Sequence, residues 1–542
     1  MYNPLLSLTR AFGLPDFLIY LVILLVALYL YGTWTFTFFP ERNLKTPTPW
    51  PFLGNLPQFV SNSFRSDVKW GKKFGKIYGF YMGRAPAYVI QDPELAREVC
   101  IKEFSHFVNR RTDGFPVDDI MKKGLTMVKD KEWKDMRSVI SPTFSSGKLK
   151  KMIAIMLDAA QQLVDNVDHY VGRDQEFEFK NIAGHYTMDI IAQAFFGFKV
   201  SSKVTDEMEN PFVTNAKKAF DAFNFKDPRL LFYMAMPKLS GLLFKLTGSS
   251  IFPREQTDFF RNNIYNILKI RREMKDPPID FLQLMLDAHC REAEDAPTRK
   301  ISYHDQTEET NHSIEQWATD KGALTDHEIL SNAFLFFLAG YETTATTLAW
   351  IVYELAVEPE VQERLHDEVE EAIEENKGQI TYDMIAHMHY LDAVVNETLR
   401  MFPPAQRIER ICNADCELNG KYAIKKGDLV QVSVYGLQMS DQYWQQPEQF
   451  NPDRFLPEHK SAIVPYSFLP FGLGPRNCVG MRLAYLEAKI GVIALVRHFK
   501  FVRSENTDVP PVYKVTSMTS PKNGIKVRAE RRQVTETLVD VS

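Results

Sequence analysis

The chain has 542 residues, 45% hydrophobic and 25% charged, a globular composition that excludes wholesale disorder. Lys and Arg number 64 against 69 Asp and Glu, a net charge of −5, so the basic excess of a nucleic-acid binder is absent and no nucleic-acid partner is expected. Five scattered cysteines (Cys100, Cys290, Cys412, Cys416 and Cys478) are too few for a disulfide framework and point to a reducing compartment.

In chain order, residues 1–16 precede an apolar run, Phe17–Phe39, that holds no charged side chain. As helix, its roughly 23 residues span about 34 Å, enough to cross a bilayer core. It reads as a transmembrane signal anchor over 17–39, with 1–16 as a short lumenal segment and no small-residue cleavage site behind it. Tyr29, Tyr31 and Trp34 suit the interface, while Arg42 and Lys45 place the long C-terminal part in the cytosol. Pro40, Pro47, Pro49, Pro51, Gly54 and Pro57 then predict a stiff, extended hinge over 40–60. Lys76–Met82 and Ala87–Ile90 read as a hairpin around Gly83-Arg84.

From Pro93 to about Arg400 the apolar spacing is mainly helical. Leu230–Pro253 is unusually apolar and reads either as core or as a surface patch that dips into lipid. Glu292–Asp320 is acidic and without periodicity, a surface loop between helices. A long apolar helix is expected from about Thr325 to Ala356; strands and turns alternate from Pro403 to Pro475, and Met481–His498 is a last helix. The fold class is mainly α with small β-sheets, one domain over 61–530 and a C-terminal tail over 531–542.

The most informative stretch is Phe471-Gly-Leu-Gly-Pro-Arg-Asn-Cys-Val-Gly480. A glycine-rich loop delivers Cys478 to the start of a helix from about Val479, where free N–H groups and the dipole would stabilise a thiolate. Gly474 and Gly480 would let the backbone pass close to something large and flat, and Arg476 could reach an anionic group beside it. The spacing Phe-x-x-Gly-x-Arg-x-Cys-x-Gly resembles the haem-binding signature of the cytochromes P450 at every signature position. That resemblance implies the P450 fold, haem b as cofactor, Cys478 as metal ligand, and Phe471, Gly474, Arg476 and Gly480 as cofactor-binding residues.

Other segments extend it. Glu397-Thr-Leu-Arg400 puts an acid and a base on one helical face. With Arg454 of Pro452-Asp-Arg-Phe455 it looks like the family's structural Glu-x-x-Arg trio. Leu338-Ala-Gly-Tyr-Glu-Thr-Thr344 places an acid and hydroxyls mid-way along an apolar helix, where burial is costly, and Gly340 would weaken the helix and open a groove. It resembles the oxygen-activation motif, which makes Glu342 and Thr343 the catalytic proton relay. Trp133-Lys-Asp-Met-Arg137 matches the family's Trp-x-x-x-Arg helix, and Arg110 and Arg410 occupy matching positions. Together these residues would clamp haem propionates. His387-Met-His389, His327-Glu328 and Cys412/Cys416 lack metal-ligand spacing and read as ordinary residues.

The similarity runs over essentially the whole chain and is nearest the microsomal family-three group, which oxidises xenobiotics and steroids. It implies a monooxygenase of the EC 1.14 class that inserts one atom of O2 into a lipophilic small molecule (xenobiotic, steroid or fatty-acid-like). It also implies a single-pass endoplasmic reticulum location facing the cytosol. No Rossmann or flavin module is present, so NADPH-cytochrome P450 reductase, with cytochrome b5 as a further partner, would supply electrons. Lys122–Lys151 holds nine basic and three acidic residues, a face suited to steering an acidic reductase. A haem-thiolate isomerase like thromboxane synthase and a non-catalytic haem-binding membrane protein stand as alternatives. The loop after Arg111 is longer than the family-three pattern, and Asp118 and Asp119 are unexpected where a segment lines the pocket.

Overall fold

The computed structural model describes residues 16–62, 64–112, 117–200, 210–222, 224, 227–248, 250–278, 280–290, 324–514, 516 and 518–533. The acidic loop, most of the lumenal segment and most of the tail lie outside the described residues.

Helix α1 (Asp16–Thr33) is apolar all round, and nearly every side chain on it is exposed, as a lipid-facing span requires. The charge-free run does not all belong to it. Short 3-10 turns follow over Trp34–Thr37 and Pro40–Arg42, and Phe39 is fully buried, edge-on to Tyr88 at 5.2 Å. The segment 40–60, expected as a stiff, extended hinge, is tied to the body and is not extended throughout. Gly79 N–H donates to Lys45 O at 2.8 Å, Trp50 and Gly54 exchange two backbone bonds of 2.7 Å, and Leu56–Asn62 is helical. Absence of charge cannot separate residues that face lipid from residues that face a protein core.

The main sheet has strand order β1-β2-β7-β4. Strands β1 (Ile77–Met82) and β2 (Ala85–Ile90) form the expected hairpin, β2 pairs in parallel with β7 (Leu429–Ser433), and β4 (Arg407–Ile411) pairs antiparallel with β7. Burial alternates along β4, which turns Ile408 and Arg410 inward. Two smaller sheets complete the β structure. One is β3 (Phe177–Glu178), β9 (Lys526–Arg531) and β8 (Phe499–Arg503); the other pairs β5 (Cys416–Leu418) with β6 (Tyr422–Ile424).

Most of the body is helical. The helices around the centre are α2 (Asp119–Lys122), α3 (Asp130–Ile140), α4 (Ser146–Val171), α5 (Phe179–Phe196), α6 (Pro228–Ala235), α7 (Pro237–Thr247) and α8 (Arg254–Glu273). They are followed by α9 (Asp326–Val357), α10 (His389–Met401) and α11 (Met481–His498). A capping box starts α9: Thr325 N–H donates to Glu328 Oε2 at 2.7 Å, and Glu328 N–H donates back to Thr325 Oγ1 at 3.3 Å. Over 32 residues, about 48 Å, it is buried almost throughout. Gly340 lies on the accessible break of this helix, and a Cβ there would also lie 2.3 Å from Ile191 Cδ1 of α5. The glycine lets α5 and α9 approach closely.

Candidate active site

The loop before α11 is a set of tight turns. Gly472 N–H donates to Leu469 O at 3.0 Å, Asn477 N–H to Gly474 O at 3.0 Å, and Cys478 N–H to Phe471 O at 2.8 Å. Gly474 has φ +74°, and a Cβ on it would fall 1.8 Å from the carbonyl oxygen of Cys100. Its smallness therefore answers to protein backbone, and Gly480 meets only the Phe144 ring at an ordinary 3.6 Å. Phe471 packs on Tyr485 of α11 at 5.0 Å.

Cys478 is accessible although it lies within the body. Burial pushes its thiol up, while the Gly480 N–H, Arg137 and Arg110 pull the other way without prevailing. Helix α11 begins at Met481, three residues past Cys478, so the helix end does not by itself make the sulfur a thiolate. A cationic centre at the sulfur would do so.

Arginines surround the loop. Arg137 Nη1 and Nη2 donate to Asn477 O and Oδ1, each at 2.9 Å, and Arg110 Nη2 donates to Arg476 O at 3.4 Å. Arg476 donates to Val108 O at 2.7 Å and to Val128 O, with Trp133 beneath it at 4.9 Å. Arg410, 1% exposed, donates to Glu409 O at 2.9 Å. Its Nε and Nη2, and the Nε of Arg476, are buried without a hydrogen-bond partner. The Glu409 carboxylate goes instead to Arg111 at 3.3 Å and Gln431 at 3.0 Å. Burial, then the neighbouring Arg110, Arg410 and Arg137, lowers Arg476 to about 8; burial and Arg410 lower Arg110 to about 10.

Buried cations without anions are costly, by several kcal/mol each. The cluster fits a ligand that brings more than one carboxylate beside a metal that takes thiolate, which is the chemistry of haem b. Its cost gives a prediction of split sign. Arg410→Met stabilises the cofactor-free protein by about 1–3 kcal/mol and weakens cofactor retention about tenfold, because it removes both an uncompensated charge and a carboxylate partner. Denaturant melts and cofactor-transfer rates on both forms check it; parallel shifts of one sign would refute it.

On α9, adjacent residues point to different sides. Glu342 is buried, ion-paired with Lys180 of α5, and accepts from Thr346 Oγ1 at 3.4 Å. Thr343 donates to Ala339 O at 2.7 Å, and Ala339, Gly340 and Thr343 are the accessible break in an otherwise buried stretch. The Cys478 loop is linked to this helix through the Phe144 ring, which lies 5.8 Å from the Phe336 ring.

The remaining trio is closed around a fully buried Glu397–Arg400 pair, with Arg454 at its partly exposed edge. Glu397 accepts from Arg400 Nε at 2.7 Å and Nη2 at 2.8 Å, from Arg454 Nε at 3.3 Å and from Asn451 N–H at 2.9 Å. Arg400 Nη1 donates to Gln438 O at 2.9 Å, and Gln438 Oε1 accepts from Leu469 N–H at 2.7 Å, which ties the trio to the cysteine loop. Sequence reasoning did not single out Lys180, Asn477 or Gln438. Asn477 stood inside the motif and could have been found; the other two carry no local signal.

Comparison with known proteins agrees with this geometry. A family model described as Cytochrome P450 matches residues 44–529. Cytochrome P450 3A12 of Canis lupus familiaris is 37% identical over 94% of this chain and 96% of its own length. Lithocholate 6-beta-hydroxylase of Mesocricetus auratus is 38% identical over 93% and 94%, and cytochrome P450 3A5 of Homo sapiens 37% over 95% and 96%.

Proposed function

The chain belongs to the cytochrome P450 family and is a monooxygenase that uses haem b, and from that premise we propose how its residues divide the work. Bound haem would supply the iron chemistry that activates O2, tuned by a thiolate ligand. Cys478 provides that sulfur, oriented by the Gly480 N–H, and Arg110, Arg410 and Arg476 hold the carboxylates, with Arg137 and Trp133 fixing the loop and the Arg476 plane. The observation that carries this reading is the accessible thiol inside the body beside Arg110 and Arg137, with buried Arg410 and Arg476 of the same cluster holding unmet donors. Thr343 holds a hydroxyl on the accessible face of α9, and Glu342 with Lys180 exchanges protons behind it. Glu397, Arg400 and Arg454 are structural.

The substrate is a lipophilic small molecule (xenobiotic, steroid or fatty-acid-like), and the name of the relative lithocholate 6-beta-hydroxylase supports the steroid-like reading. Residues 61–530 form the catalytic domain, anchored by α1 as a single pass in the endoplasmic reticulum membrane with the body in the cytosol. The apolar Leu230–Pro253 segment divides between the two readings: Leu230, Tyr233 and Phe252 are buried core, while its middle supports a second membrane contact. Leu242, Leu243 and Leu246 of α7 are 54%, 42% and 74% exposed. Helix α6 abuts the β1–β2 turn at Gly83, and the neighbouring Arg84 stacks 3.9 Å over Tyr31 of α1, so both apolar surfaces adjoin one hairpin tip. The basic stretch over Lys122–Lys151 docks NADPH-cytochrome P450 reductase, with cytochrome b5 as a further donor.

The test is turnover in membranes with reductase, NADPH, O2 and a panel of apolar substrates, comparing wild type with Thr343→Ala. The variant keeps its haem but diverts NADPH consumption to hydrogen peroxide, and product per NADPH falls at least about tenfold. Unchanged coupling would place proton delivery elsewhere, and no oxygenated product from any substrate would overturn the function.

A further inference from the structure

Cys412 and Cys416, whose spacing suits no metal site, are brought together by the fold. Both are free thiols, and their sulfurs lie 4.0 Å apart. Backbone bonds fix the ends of the short Cys412-Asn-Ala-Asp-Cys416 turn between β4 and β5. Cys412 N–H donates to Asp428 O at 2.9 Å, Cys412 O accepts from Gly427 N–H at 2.8 Å, and Asn413 N–H donates to His106 O at 2.7 Å. Cys416 opens β5 opposite Ile424 of β6, and Asp415 accepts from Lys426 N–H at 2.8 Å. The two thiols are thus held as neighbours by a frame that does not depend on them. They differ in access: Cys412 is 1% exposed in an apolar cluster with Ile408, Leu418 and Ile424, whereas Cys416 is half-buried at its edge. Among the described residues no group of three His, Cys, Asp or Glu is arranged to hold a metal, which leaves the two sulfurs to react with each other.

We propose that Cys412 and Cys416 form a two-electron oxidation site that hydrogen peroxide closes to a reversible disulfide. The half-buried Cys416 meets the oxidant. Its sulfur attacks one peroxide oxygen, the O–O bond breaks, and the other oxygen leaves as water with the thiol proton. Cys412 then attacks the Cys416 sulfur, the S–O bond breaks, and the hydroxyl leaves as a second water with the Cys412 proton. The sulfurs lose two electrons and two protons, and one peroxide becomes two waters. Closing the pair to about 2 Å takes the Cys412 S–H from Ala414 O, its acceptor at 2.9 Å. The ring spans only Cys412–Cys416, so it restrains the chain little, and small thiols of a reducing compartment reopen it. Burial, then Cys412 and the acids Glu103 and Glu98, pushes the Cys416 thiol up to about 12, and burial with Asp428 and Asp415 raises Cys412. Few thiolates exist near neutral pH, so the site answers to sustained peroxide and not to a brief pulse. One source of that oxidant rests on the monooxygenase reading: turnover that consumes NADPH without oxygenating a substrate releases peroxide beside this chain. Both sulfurs lie outside the Phe471–Gly480 loop, so the reaction does not consume Cys478.

The test treats the full-length, haem-loaded protein with hydrogen peroxide, blocks the remaining thiols with N-ethylmaleimide and reads the digest by mass. The peptide carrying Cys412 and Cys416 is expected to lose two hydrogens, to take no maleimide, and to regain both thiols with dithiothreitol. Cys412→Ser has no resolving sulfur, so Cys416 accumulates as sulfenic acid, trapped by dimedone at least about tenfold above wild type. Cys416→Ser leaves only the buried thiol, and oxidation of Cys412 slows at least about tenfold. Closure in the wild type speeds up about tenfold from pH 7 to pH 8, as the thiolate fraction does. Phenylarsine oxide needs two adjacent sulfurs and no oxidant; it shields both cysteines from maleimide in the wild type and leaves the remaining one open in each variant. A wild-type peptide that keeps both thiols open through peroxide and arsenical, or that links to a cysteine elsewhere, overturns the site. Oxidation of Cys416→Ser at the wild-type rate, or a closure rate flat with pH, overturns the attack by Cys416. Reductase and NADPH without substrate are expected to close the pair, and catalase to prevent it; closure by added peroxide alone overturns the enzyme as the source. If reductase and NADPH neither reduce the haem nor yield peroxide, the failure lies with the monooxygenase reading, and added peroxide still decides whether the site exists.

Discussion

Replacing Cys478 by serine removes the thiolate-type absorption of the reduced carbon monoxide complex and abolishes oxygenation, while the polypeptide stays folded. The sulfur is the one soft ligand on the accessible face of its loop, and a serine hydroxyl has neither its charge nor its polarisability. The loop does not depend on the side chain, because its turns are closed by backbone bonds at Phe471, Gly474 and Leu469. Burial holds the cofactor-free thiol above its ordinary value despite the Gly480 N–H and two arginines, so nothing in the protein alone makes it a strong thiolate. The thiolate signature should therefore appear only with haem loaded, and fade when haem is extracted, with the thiol then slow toward alkylating reagents. Rapid alkylation of the cofactor-free protein at neutral pH, or a Ser variant that keeps the thiolate band, would remove Cys478 from the axial position.

How much of this was readable in advance follows from how local each signal is. The hairpin around Gly83, the 32-residue helix after Thr325 and the last helix from Met481 are written in short-range periodicity and caps, and their bounds agree within a few residues. The cysteine loop was legible because its residues are consecutive. What joins it to the rest was not. Lys180 lies 162 residues before Glu342, and nothing near either residue announces the pair. Phe39 sits at the end of a run that by composition belongs in lipid, yet its neighbours Tyr81 and Tyr88 arrive from a hairpin some forty residues on. Gly474 was read for a ligand because the loop is glycine-rich, whereas the carbonyl of Cys100, distant in sequence, is what excludes a side chain there. Long-range packing decides all three, and no window of sequence contains it.

The largest effect on stability falls on the trio away from the chemistry. Arg400→Leu is expected to destabilise the full-length protein by about 3–5 kcal/mol and to lose haem with it, whereas breaking the exposed Arg364–Asp453 pair costs about 0–1 kcal/mol. Arg400 and Glu397 are both 0% exposed, so a lone Glu397 cannot recover its hydration. Arg454 at 3.3 Å and the Asn451 N–H would remain to it, but the two shortest donors would be gone and the carbonyl of Gln438 would lose its partner. Because Gln438 also anchors Leu469, the cysteine loop inherits the damage and haem binding falls with stability. The burial argument makes a sharper demand on the double variant. Glu397→Leu/Arg400→Leu leaves no unpaired charge in the core, since Arg454 already donates to Gln446 O at 3.0 Å and reaches solvent, so it should be less destabilised than Arg400→Leu alone. Denaturant unfolding of wild type, both single variants and the double gives the coupling directly. If the double variant loses as much as the two singles together, the trio is held by packing rather than by charge compensation, and its link to the loop would have to run through shape alone.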